Sequence, residues 1–67
     1  MSIGENIKRL RKEKGLSQIE LSVEIGVYPD YISFWESGKR MPSLLNAVAL
    51  ADSLGISLDE LCGRCKK

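Results

Sequence analysis

Apolar positions along this 67-residue chain recur at intervals of three and four. Ile3, Ile7 and Leu10 open the series, Leu21 and Ile25 continue it, and Ile32 and Trp35 follow. Leu44, Ala47, Val48, Ala51 and Leu54 form a longer stripe, and Leu58 and Leu61 close it. Residues spaced this way share one face of a helix, and no stretch alternates as a half-buried strand would. The pattern predicts an all-α protein of five helices.

Turn and capping residues mark where each helix starts and stops. Ser2 is placed to cap a first helix over about Gly4 to Lys14. Ser17 with Glu20 three residues on reads as a capping box, and so does Ser57 with Glu60. Gly26 sits where the chain must reverse, since glycine adopts a left-handed conformation at little cost. Pro29 suits the first position of the next helix, where its missing amide would have had no partner. Gly38 ends that helix, Ser43 caps the fourth and Gly55 ends it. Two short helices, about 17–37, therefore stand joined by a tight turn. They cannot bury their apolar faces alone, so the remaining helices must hold them.

The segment LSQIELSVEIGVYPDYISFWESGKRMP resembles the helix-turn-helix family of phage repressors and Cro proteins. The match is carried by Gln18, Leu21, Gly26-Val27, Ile32, Trp35-Glu36, Gly38-Lys39 and Pro42-Ser43, with Ser22 where that family usually has alanine. It extends outward through Lys14-Gly15-Leu16-Ser17 and the run Leu54 to Leu61, covering roughly Ile3 to Leu61. The resemblance implies a compact five-helix, lambda-repressor-like domain whose second motif helix, about Pro29 to Ser37, enters the major groove of double-stranded DNA. Its outward positions are Pro29, Asp30, Tyr31, Ser33, Phe34 and Ser37. Gln18, Lys39 and Arg40 are then expected at phosphates, and Arg11 is expected to pair with Glu36, tying the first helix to the end of the recognition helix. Arg11 could also touch a phosphate. Similar proteins pair on palindromic sites, often through the last helix and the loop before it, which here means Ile56, Leu58 and Leu61.

Several residues depart from the family pattern. Base-reading positions that commonly carry glutamine, serine, arginine or asparagine hold Pro29, Asp30, Ser33 and Phe34. Asp30 can accept from the exocyclic amine of cytosine, and Phe34 can contact a thymine methyl. A plainer reading makes Asp30 a favourable anion in the helix's first turn. Tyr28 takes the capping position and Tyr31 one where a small hydroxyl often meets phosphate. Ile19 and Val23, like Leu45 and Ala49, form apolar pairs on outward faces, a pattern that can mark a partner contact.

Length allows only one domain, residues 1–67, with a small core. The net charge is +1, mild for a nucleic-acid binder. Placement matters more. Lys8, Arg9, Arg11, Lys12 and Lys14 cluster in the first helix, and Lys39 and Arg40 follow the motif. The tail carries Arg64, Lys66 and Lys67, while Glu24, Asp52, Asp59 and Glu60 lie elsewhere. No apolar run approaches the roughly 18 residues that cross a bilayer, and no secretory block opens the chain, so a cytoplasmic protein is expected. Cys62 and Cys65 form a Cys-x-x-Cys in a short basic tail, residues 62–67. Thiol-redox enzymes place such a pair after a strand, and a closed zinc site needs four ligands where this chain has two cysteines and no histidine. No metal site, cofactor or catalytic residue is expected. The reading is a homodimeric, sequence-specific, repressor-like regulator and not an enzyme. The alternatives are an interaction module on the same fold, of antitoxin or immunity type, and a thiol sensor built on the tail.

Overall fold

The computed structural model describes residues 2–63. Within them the chain forms α1 (Ile3–Glu13), α2 (Gln18–Ile25), α3 (Pro29–Ser37), α4 (Leu44–Leu54) and α5 (Leu58–Cys62), with no strand among the described residues. Each boundary has a local cause. Ser2 Oγ accepts from the Glu5 amide, and Glu5 Oε1 accepts in return from the Ser2 amide, both at 3.1 Å. This reciprocal cap starts α1 one residue before the expected position. Ser17 and Glu20 repeat the device at 3.0 and 2.8 Å. At α5 only half of it forms: Ser57 Oγ accepts from the Glu60 amide at 3.1 Å, without the return bond expected of a capping box. Gly26, at φ 80°, reverses the chain between α2 and α3 in a conformation that costs side-chain-bearing residues about 1–2 kcal/mol.

Ile7 and Leu10 of α1, Leu21 of α2, Ile32 and Trp35 of α3, Leu50 and Leu54 of α4 and Leu61 of α5 fill one core. The fourth helix is turned relative to the face its apolar stripe suggests. Ala47, Leu50, Ala51 and Leu54 are buried, whereas Leu44 is 72% and Val48 38% exposed. The sequence LLNAVALADSL carries two overlapping apolar arcs. The arc centred between Ala47 and Leu50 wins because it buries the large Leu50 side chain completely. Leu45, expected outside, is exposed at 82%.

The first helix is the hub. Asn6, buried beside Ile7, donates from Nδ2 to the Leu61 carbonyl at 3.1 Å and so fixes α5. Gly4 lies against the end of α3, so close that a Cβ there would collide with the Trp35 carbonyl and come within 2.9 Å of the Glu36 oxygen. On the far side, Ser53 of α4 hydrogen-bonds the Glu24 carboxylate of α2, and Lys14 Nζ donates to the Ser53 carbonyl at 3.2 Å. The third helix is thereby pressed from behind and left open in front.

Candidate nucleic-acid interface

The orientation of α3 follows from which side chains it buries. Ile32 is wholly buried and Trp35 nearly so. At roughly 100° per residue, Asp30 and Ser37 point directly away from that pair, with Ser33 and Phe34 on either side of them. Pro29, Asp30, Tyr31, Ser33 and Ser37 are exposed and Phe34 is half-buried. The Ser37 hydroxyl donates back to the Phe34 carbonyl at 3.2 Å. The Asp30 carboxylate has no hydrogen-bond or ion-pair partner among the described residues, and neither has the Ser33 hydroxyl.

A polar knot sets the far end of this helix. Arg11 Nε donates to Glu36 Oε2 at 2.7 Å and Nη2 to Glu36 Oε1 at 3.2 Å. Arg11 Nη1 donates to the Leu16 carbonyl at 2.7 Å, and Gln18 Nε2 reaches Glu36 Oε1 at 3.0 Å. The Glu36 carboxylate therefore joins α1, the start of α2 and the end of α3, while Arg11 also ties in the turn after α1. Arg11 is only 7% exposed, and three of its five N–H donors are committed to Glu36 and the Leu16 carbonyl, so its first duty is structural, as expected. Gln18 is half-buried and commits one amide hydrogen to Glu36, keeping the second available.

Aromatic contacts support the other end. Tyr31 stacks on Trp35 at 6.2 Å between ring centroids, and Tyr28 lies 6.5 Å from Tyr31. Tyr28 supplies no side-chain cap, and Pro29 removes one of the amides that would need it. Gly26, Val27, Tyr28 and Tyr31 line a shallow depression of about 360 Å³ beside the turn. Beyond the helix, Lys39 and Arg40 are exposed, and the Arg40 guanidinium sits over the Phe34 ring at 5.7 Å.

Of the residues expected at a partner interface, Leu58 is partly exposed, Ile56 packs half-buried against the core, and Leu61 is fully enclosed within the protomer. Leu61 therefore has no surface to give a second copy. Cys62 is exposed at the end of α5, whereas Cys65 and the tail's Arg64, Lys66 and Lys67 lie outside the described residues. Sequence reasoning missed Gly4, Asn6 and the Leu16 carbonyl. A glycine inside a predicted helix, and an amide beside the apolar stripe, were the available signals for the first two. No group of three or more His, Cys, Asp or Glu side chains among the described residues converges as a metal site would, and no described helix is long and apolar enough to cross a membrane.

Comparison with known proteins fits this geometry. The helix-turn-helix family pattern matches residues 7–61. The chain is 41% identical over 64 residues to the cryptic phage CTXphi transcriptional repressor RstR of Vibrio cholerae, covering 96% of this chain and 57% of that protein. It is 42% identical over 65 residues to the control protein C.MunI of a Mycoplasma species, covering 96% and 88% respectively. Among solved structures, the P22 c2 repressor bound to a synthetic operator superposes with a TM-score of 0.91 at 32% identity, over 97% of this chain and 98% of that one.

Proposed function

Because the chain belongs to the helix-turn-helix family of DNA-binding transcriptional regulators, we propose that it reads double-stranded DNA by laying α3 in the major groove. The supporting observation is the contrast between the two sides of this helix. Behind it, Ile32, Trp35 and the Arg11–Glu36 knot fix its position; in front, Asp30, Ser33 and Phe34 stand uncovered or half-covered. A rigid helix with uncommitted side chains is what a groove accepts.

In this reading Lys39 and Arg40 meet phosphates past the helix end, Gln18 meets one with its remaining amide hydrogen, and Tyr31 and Pro29 flank the groove walls. The protein acts as a homodimeric repressor in the cytoplasm, with Leu58 and the edge of Ile56 at the two-fold contact. It performs no chemistry of its own. The chain spans 57% of the RstR repressor and 88% of C.MunI.

A second reading is favoured by the exposure of Ile19, Val23, Leu44 and Leu45, an apolar surface suited to a protein partner. Selection of bound sites from random duplexes, followed by a salt titration on the best site, separates the two. Groove binding gives a defined half-site and an affinity falling by a log–log slope of about 0.9 per phosphate contact. An apolar protein contact would leave no consensus and little salt dependence.

A further inference from the structure

The outward face of α3 has an unusual chemistry for reading bases. Among Pro29, Asp30, Tyr31, Ser33, Phe34 and Ser37 there is no arginine, lysine, asparagine or glutamine, the side chains that pair bidentately with guanine or adenine. At its centre stands one carboxylate, which only accepts. One turn on comes an aromatic edge, with the nearest guanidinium, Arg40, drawn over its ring at 5.7 Å.

Each edge of a base pair can be tested against that face. Guanine shows two acceptors in the major groove and repels a carboxylate. Adenine offers an amine but sets an acceptor beside it. Cytosine's N4 amine has a C–H on one side and the paired guanine's O6 on the other, whereas adenine's lies between two acceptors, so cytosine opposes a carboxylate least. Thymine supplies the one apolar group in the groove, its C5 methyl, which an aromatic edge can cover.

Spacing joins the two contacts. Asp30 and Phe34 are four residues apart, about 6 Å along the helix axis. Successive bases on a strand are about 3.4 Å apart, so the two side chains fall within two base steps of each other. We infer that Asp30 and Phe34 together read a short pyrimidine element of the half-site, Asp30 through the N4 amine of a cytosine and Phe34 through the C5 methyl of a neighbouring thymine. The inference rests on the DNA-reading function proposed above and names what that function selects. It also implies that cytosine bearing a C5 methyl can replace the thymine at the Phe34 position, because the methyl is the group being read.

The test begins with site selection from random duplexes for the wild-type chain and for Asp30→Ala and Asp30→Asn. The wild type selects a cytosine with a thymine within two steps. In Asp30→Ala the preference for that cytosine falls by about tenfold or more, the worth of one hydrogen bond to a charged group. In Asp30→Asn it shifts towards adenine, which asparagine pairs bidentately. The thymine contact is tested on the wild-type protein, so folding of a Phe34 variant is not in question. Replacing the thymine by deoxyuridine removes the methyl alone and weakens binding about fourfold. Phe34→Leu then binds the two duplexes with a smaller ratio. A selected site whose base preferences are unchanged in both Asp30 variants, and which binds equally with deoxyuridine, overturns this inference and leaves DNA reading intact. A wild-type chain that selects no sequence overturns both.

Discussion

Glu36→Gln isolates the charge that holds the recognition helix to the rest of the domain. Glutamine keeps the volume and one acceptor but presents an amide NH2 where Arg11 or Gln18 now donates. The pair is sheltered, with 8% of the Arg11 side chain and 4% of the Glu36 side chain exposed. The change therefore leaves a buried guanidinium without its counter-charge and with two of its three bonds, one to the remaining amide oxygen and one to the Leu16 carbonyl at 2.7 Å. Removing one partner of a buried pair costs roughly 3–5 kcal/mol, most of it the penalty for the charge left behind. For a domain of this size that equals a large share of the total, on the order of 3–10 kcal/mol. A loss of about 3 kcal/mol corresponds to roughly 12–24 °C in melting temperature.

Urea denaturation followed by helical circular dichroism measures the cost directly, with thermal melts as a second probe. A companion variant, Arg11→Met with Glu36→Leu, removes both charges together and should recover the penalty of the unpaired charge, with about 1–3 kcal/mol still lost because the Leu16 carbonyl loses its donor. The refuting result is a cost below about 1 kcal/mol for Glu36→Gln. That would mean the pair behaves like a solvated surface bridge, and that apolar packing alone positions α3.

Three other outcomes follow from the packing. Gly4→Ala pushes a methyl into the Trp35 and Glu36 carbonyls and should destabilise by about 1–3 kcal/mol in denaturant melts, while an isolated α1 peptide should not lose helicity, because the clash is tertiary and alanine is the better helix former. Asn6→Ala orphans the Leu61 carbonyl and should cost about 1–3 kcal/mol, with hydrogen exchange accelerated first in α5. Lys39→Ala should weaken duplex binding evenly across sequences and lower the salt slope by about 1, measured by fluorescence anisotropy at several salt concentrations.

Most of the fold is legible from the residues because its punctuation is local. Ser2, Ser17, Gly26, Pro29, Gly38, Ser43 and Gly55 each act on the backbone within a few positions, so their effect can be read without knowing what packs where. The rotation of α4 is not local. Leu44 and Val48 against Leu50 is a choice between two apolar faces of one helix, decided by the space the other four helices leave. Long-range polar contacts are equally silent in sequence: Asn6 meets the carbonyl of Leu61, 55 residues away, and any residue can supply a carbonyl. Gln18 shows the converse case. Family resemblance points its amide outward to a phosphate, while geometry also gives it a structural duty at Glu36.

This arrangement separates stability from specificity along a single helix. Ile32, Trp35 and Glu36 supply the contacts that fix α3, and all three face the core or the Arg11 knot. Asp30 and Ser33 have no side-chain partner among the described residues, so replacing either removes no packed surface. Substitution there should change stability by no more than about 0.5 kcal/mol, as for ordinary exposed positions, with Asp30 giving up only its interaction with the helix dipole. Tyr31 and Phe34 stand between the two groups, since one stacks on Trp35 and the other lies under Arg40. A domain with so small a core can vary what it reads only at positions that carry no share of that core. In this chain the carboxylate at Asp30 occupies such a position, and its departure from the family pattern is therefore one the fold tolerates.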